Sequence, residues 1–136
     1  MDIGRVRTGL AVSDPQQSVA LPLRSLATAE LLQGSRTFQK ILADYSDVSL
    51  LVGLPVSLDG EEHAQAAWVR QTAESLATRY HLPLLFQDER RSTSQAAEIL
   101  HATGHTARSM RSQIDAVAAS IILQSYLDSL RRKKEF

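Results

Sequence analysis

The apolar positions of this chain change rhythm as it proceeds, and the changes mark out its elements. A short apolar opening ends at Asp2. Residues 8–13 and 19–26 then read as two further strands, with Pro22 breaking the regularity of the later one. Three short strands joined by tight turns predict an antiparallel meander. From residue 29 to 46 the spacing becomes helical, with Phe38, Ile41, Leu42 and Tyr45 on one buried face and Gly34 near its start. Val48, Leu50, Leu51 and Val52 form an apolar run without alternation, the pattern of a strand covered on both faces, and Gly53-Leu54-Pro55 ends it. After a loop over residues 56–60, Asp59 with Glu62 three positions on predicts a capped helix start. Val69, Thr72, Ala73, Leu76, Ala77 and Tyr80 form its stripe, and it ends before Pro83. Residues 82–87 repeat the buried-strand pattern, and Asp88-Glu89-Arg90-Arg91 follow. Ser92 with Gln95 resembles a capping box opening a short helix to about His101, and residues 103–109 read as a loop. The last helix is expected from near Arg111 to Leu130, with Ile114, Val117, Ala118, Ile121 and Ser125 along one face. The basic tail at 131–134 suits the negative end of its dipole.

Strand–helix–strand order implies parallel pairing and right-handed crossovers. The predicted fold is α/β: a mixed five-stranded sheet, three strands antiparallel and two parallel, flanked by helices. Residues 1–136 fit a single domain by the usual length.

Ligands of open α/β sheets collect at the carboxyl ends of the strands. Asp2, the 53–60 loop and Glu89 should therefore reach one rim. Asp115 is expected to face it from the first turn of the last helix, where the small residues Ala116, Ala118, Ala119 and Ser120 let the helix lie close to the sheet. Three carboxylates in a cysteine-free site suit Mg²⁺ or Mn²⁺ rather than zinc. Two such ions roughly 3.5–4 Å apart stabilise the attacking and leaving oxygens of a phosphodiester displacement. Arg7, Arg90 and Arg91 are candidates to hold neighbouring phosphates. Plainer readings stand beside these: Asp2-Ile3-Gly4 opens a turn, and Asp115 compensates a helix dipole. His63 reads as a surface residue, His81, His101 and His105 as exposed, and Trp68 as core or partner surface.

Composition narrows the field. The chain has no cysteine, which removes disulfides, thiolate metal sites and a cysteine nucleophile together. Fifteen basic residues balance fifteen acidic ones, which argues against non-specific coating of nucleic acid. The basic residues nevertheless fall in separate spots, and a few convergent arginines suffice for phosphate. No apolar run is long enough to span a bilayer and no charged-then-apolar leader opens the chain, so no membrane role and a reducing, cytoplasmic setting are expected.

Four separated blocks resemble the YqgF/RuvX family: Asp2-Ile3-Gly4 with Arg7-Thr8-Gly9-Leu10-Ala11-Val12-Ser13-Asp14; Val52-Gly53-Leu54-Pro55 with Asp59-Gly60; Asp88-Glu89-Arg90 with Ser92-Thr93; and Asp115 with Ala118-Ala119, Ile122-Leu123-Gln124 and Tyr126-Leu127-Asp128. They cover nearly the whole chain in the right order. The resemblance implies an RNase H-like fold and a bacterial nuclease that matures the 5′ end of the small-subunit ribosomal RNA precursor. Resolution of branched DNA at Holliday junctions is the other activity proposed for relatives. By position it implies Asp2, Glu89 and Asp115 as catalytic and metal-holding acids, and pre-rRNA or branched DNA as partner, with ribosomal particles and a homodimer as further expectations.

Two positions depart from the family pattern. Relatives carry several more apolar residues before the first aspartate, so here the first strand is expected to lack most of its ladder and to leave a gap in the sheet; a missing upstream segment is the favoured explanation. Arg91 stands where relatives usually carry leucine or another apolar residue. Other readings are a catalytically weak binding module of the same fold, and an ATPase of the sugar-kinase or chaperone type. The latter needs two duplicated domains to enclose a nucleotide, more than 136 residues hold.

Overall fold

The computed structural model describes residues 1–56, 63–89 and 107–134, excepting the side chains of residues 107–112 and 134. The chain opens with strand β1 (Asp2–Ile3), then β2 (Arg7–Ser13) and β3 (Ala20–Ala27), paired antiparallel in the order β1-β2-β3. Pro22 of β3 pairs with Ala11 at a register shift between Leu10 and Ala11 of β2, and β3 has no described partner on its far side. An edge strand at an irregularity tolerates a residue without an N–H. β4 (Leu50–Pro55) and β5 (Leu84–Glu89) pair in parallel, Leu50 opposite Leu84 and Pro55 opposite Glu89.

Met1 joins the two halves. Its amino group donates to the Leu51 carbonyl at 2.6 Å, and the Gly53 N–H donates to the Met1 carbonyl at 3.1 Å. Those two bonds straddle one residue in the manner of a parallel ladder, so β1 lies alongside β4. Three antiparallel strands and two parallel ones thus abut, and the α/β expectation holds. The expected gap is there as well. β2 runs on past two-residue β1, and a cavity of about 720 Å³ opens between Leu10–Asp14 on one side and Val48–Leu51 on the other.

Period-two alternation assigns the two sheet faces. Ile3, Leu10, Val52 and Leu54 point into a core closed by Leu31, Phe38, Val69 and Leu76. These come from α1 (Thr28–Gln33), α2 (Arg36–Ala43) and α3 (Ala64–Tyr80). The opposite face, where Gly9 and Gly53 lie, is covered by α4 (Ala107–Lys134). β4 is buried from Leu50 through Leu54, as its uninterrupted apolar run requires.

Several expectations are corrected. The single helix over 29–46 is two, because Gly34 adopts φ 114° and the Ser35 side chain accepts from the Phe38 N–H at 3.1 Å, starting a new helix. Tyr80 fixes this break: its hydroxyl donates to the Leu31 carbonyl at 2.7 Å and accepts from the Ser35 N–H at 2.9 Å. Tyr45 lies beyond α2 and is 41% exposed, so it leaves the predicted buried face. β4 begins two residues and ends three residues later than expected, and β5 sits two residues later, which brings Glu89 inside β5. α3 begins at Ala64 with His63 at its N-cap position, five residues beyond Asp59, while its stripe of Val69, Thr72, Ala73 and Leu76 is buried as predicted. α4 starts at Ala107 rather than Arg111. Its buried stripe is Ala116, Ala118, Ala119, Ile122 and Leu127, rotated from the predicted one, and Ser125 is exposed. The rotation follows from close approach: small side chains and Ile122 face glycines of the sheet. Asp59 and the helix predicted from Ser92 to His101 lie outside the described residues.

Candidate active site

Hydrogen bonds within the β1–β2 turn and from Thr28 fix the support on which Asp2 stands. The Gly4 N–H donates to the Arg7 carbonyl at 2.9 Å, and a Cβ at Gly4 would stand 2.6 Å from that oxygen, so a larger residue would force the turn open. Thr28, at the start of α1, holds the turn from below. Its hydroxyl donates to the Gly4 carbonyl at 2.6 Å, its N–H donates to the Val6 carbonyl at 2.9 Å, and its Oγ1 lies 2.8 Å from the Thr8 hydroxyl. Thr8 and Thr28 are both buried, and leaving either hydroxyl unpaired would cost about 1–3 kcal/mol. Asp2 therefore projects from a rigid support.

Asp115 reaches the same place from α4 because Gly9, the residue paired with Asp2, has no side chain. A Cβ at Gly9 would overlap the Asp115 carbonyl, and the neighbouring Ala116 nitrogen would stand 2.9 Å from it. Gly53 gives a second close approach, where a Cβ would meet Ile122 Cδ1 at 2.5 Å. These two glycines set the height of the helix over the sheet, and with it the position of the Asp115 carboxylate. With α4 beginning at Ala107, Asp115 lies well inside the helix and not in its first turn, which removes dipole compensation as its explanation.

Asp2, Glu89 and Asp115 face a single cavity of about 230 Å³, bordered also by Arg7, Gln65 and Gly53. The chain thus brings residues from its beginning, middle and end to the carboxyl ends of β1, β4 and β5. Burial, with the charges of Glu89 and Asp115 acting in the same sense and the Met1 ammonium opposing them, pushes the Asp2 carboxyl up to about 6. A carboxylate in that position is short of a compensating cation. Arg7 does not supply it directly: its Nε donates to Asp115 Oδ2 at 2.8 Å, with the arginine side chain about half exposed. Among the described residues no three acids or histidines are grouped as ligands of one ion as they stand. The donor set nevertheless fits a hard divalent cation: oxygen ligands only, an undercompensated buried carboxylate, and room between them.

The expected acids are brought together, and Arg7 joins them in an ion pair not anticipated from the sequence. Arg90 and Arg91 lie outside the described residues. Sequence reading missed Gln65 at the cavity rim, which no pattern singled out, and the spacer role of Gly9. The signal for Gly9 was present as a glycine within a strand, opposite a carboxylate. Trp68 is partly buried against the core edge, with the Arg5 guanidinium over its ring at 4.4 Å.

The chain is similar to proteins named "Putative pre-16S rRNA nuclease". The one from Roseiflexus sp. (strain RS-1) is 35% identical over 131 residues, 96% of this chain and 93% of its own. The one from Cutibacterium acnes is 36% identical over 132 residues, 96% and 81%. The one from Rickettsia canadensis is 33% identical over 132 residues, 97% and 86%. With the mixed sheet described above, these matches define a nuclease of RNase H-like fold, a hydrolase of phosphodiester bonds. The chain belongs to the RuvX family, described as Holliday junction resolvase, whose profile matches residues 1–129.

Proposed function

We propose that this chain is a divalent-metal-dependent endonuclease that processes the 5′ end of pre-16S ribosomal RNA. The observation that carries the proposal is the convergence of Asp2, Glu89 and Asp115 on one cavity at the carboxyl rim of the sheet. The three acids are the residues to hold Mg²⁺ or Mn²⁺, which when bound supplies Lewis acidity at the phosphoryl oxygens and an activated water. The chain's own groups do the rest. Arg7, fixed at Nε by Asp115, keeps its outer N–H groups for a phosphate oxygen of the substrate. Gln65 offers a neutral amide to a second oxygen from the first turn of α3. Arg90 and Arg91, following Glu89 in the chain, are the residues proposed for flanking phosphates. The rigid Gly4–Arg7 turn and the Gly9 contact hold the acids in place, so positioning is complete before substrate arrives.

The relatives' name supports the ribosomal precursor as substrate, and the family description supports a four-way DNA junction as the second reading. Symmetric cutting of a junction calls for a two-fold dimer, whereas one end of an rRNA precursor does not. The test presents purified protein with a 5′-extended rRNA precursor and a synthetic four-way junction, each with Mg²⁺, Mn²⁺ or chelator. Cleavage of the precursor in metal, lost on chelation and in Asp2→Asn, is the expected result. Metal-independent cleavage would refute the proposal, and preferential cutting of the junction would replace the rRNA reading with the second.

A further inference from the structure

At the lip of the acid cavity the tip of the β1–β2 turn carries Arg5, Val6 and Arg7, all exposed, with Val6 at 73%. The tip is held rigid by the Gly4–Arg7 and Thr28–Val6 bonds described above. The Arg5 guanidinium lies 4.4 Å from the centroid of the Trp68 ring. Among the described residues the indole face is the group against which the Arg5 guanidinium packs. The pair lies beside the cavity without lining it: Gly4 and Arg7, on either side of Arg5 in the chain, line the cavity, as do Gln65 and Val69, on either side of Trp68 in α3.

We propose that Arg5, backed by Trp68, is a stacking shelf for an unpaired base of the substrate strand beside the bond to be cut. The inference rests on the nuclease reading and specifies its substrate as locally single-stranded. Arginine offers a flat delocalised cation, and bases of single strands stack on guanidinium planes as they do on aromatic rings. Backing by an indole fixes that plane before binding, which reduces the ordering cost. Val6 adds an apolar contact alongside. A base within a duplex has both faces covered by its neighbours and cannot use such a shelf, so the surface discriminates for unpaired nucleotides irrespective of sequence.

Trp68 is the only tryptophan of the chain, so its fluorescence reports on the shelf directly. The full chain is titrated in chelator, where cleavage is absent, with a single-stranded oligonucleotide, the same strand in duplex, and the same strand made abasic. Anisotropy of labelled strands gives a second reading independent of the fluorophore's baseline. The single strand should quench Trp68 saturably and bind at least roughly ten-fold more tightly than duplex or abasic strand, about the size of one stacked base. Arg5→Ala and Arg5→Lys should both lose that advantage, since lysine keeps the charge without the plane. Equal affinity for intact and abasic strands, or full rescue by lysine, would make Arg5 a phosphate contact only and overturn the inference. Unchanged affinity in Arg5→Ala would also overturn it. Because binding is read without turnover, a single-strand preference that persists while no cleavage is found would sink the nuclease reading and leave the shelf standing.

Discussion

Replacing Asp2 by asparagine should make the metal-free protein more stable while abolishing its cleavage. The Asp2 carboxyl rises from 3.8 to about 6 in the folded chain, first through burial and then through Glu89. At 1.36 kcal/mol per pKa unit, the ionised carboxylate costs the fold about 3 kcal/mol. The sign follows from linkage: a folded-state value above the unfolded one means that the native state holds the proton more tightly. Below pH 4 both states are protonated and there is no penalty. It develops between pH 4 and 6 and is complete above 6. The Met1 ammonium, itself lowered to about 6 by burial, is neutral in both states above about pH 9, so that range isolates the carboxylate. Urea unfolding followed through Trp68, in chelator from pH 4 to 9, should show wild type and Asp2→Asn alike at the acid end. A gap should open to about 3 kcal/mol, or roughly 10 °C in Tm, at the alkaline end. Adding Mg²⁺ or Mn²⁺ should close or reverse the gap, because the ion stabilises only the protein that binds it. An asparagine variant no more stable than wild type at pH 9, or a gap that does not vary with pH, would refute this reasoning.

Other consequences follow from the same geometry. Gly9→Ala should destabilise by about 3 kcal/mol in urea, since its methyl would meet the backbone of α4, and cleavage should fall even where the protein is folded. Gly53→Ala should cost less, about 1–2 kcal/mol, because the group it meets is the movable end of Ile122. Tyr80→Phe should cost about 1–2 kcal/mol by removing the hydroxyl that ties Leu31 and Ser35 at the α1–α2 break. Arg7→Gln should leave stability within about 1 kcal/mol, its ion pair being half exposed, yet weaken substrate binding measured as KM.

Local pattern determined much of the fold. The unbroken run at Leu50, Leu51 and Val52 can be buried on both sides only as a central strand, and the Val69-Thr72-Ala73-Leu76 stripe fits only one helix face. What escaped the sequence depends on contacts between distant segments. The break at Gly34 is stabilised by Tyr80, far along the chain, so periodicity over 29–46 could not register it. The rotation of α4 is set by Gly9 and Gly53 on the sheet, where the absence of a side chain rather than its presence decides the packing. Asp2 and Glu89 were legible through strand-end placement and Asp115 through its place on the last helix, whereas the Arg7–Asp115 pair required three-dimensional proximity.

Metal affinity tests the central claim most directly. Mn²⁺ titrated calorimetrically into metal-free protein at neutral pH should bind saturably to wild type. Asp2→Asn, Glu89→Gln and Asp115→Asn, each confirmed folded, should each weaken it at least roughly ten-fold. Equal Mn²⁺ binding by wild type and all three variants, or no binding by wild type, would contradict the assignment of a shared cation to these acids.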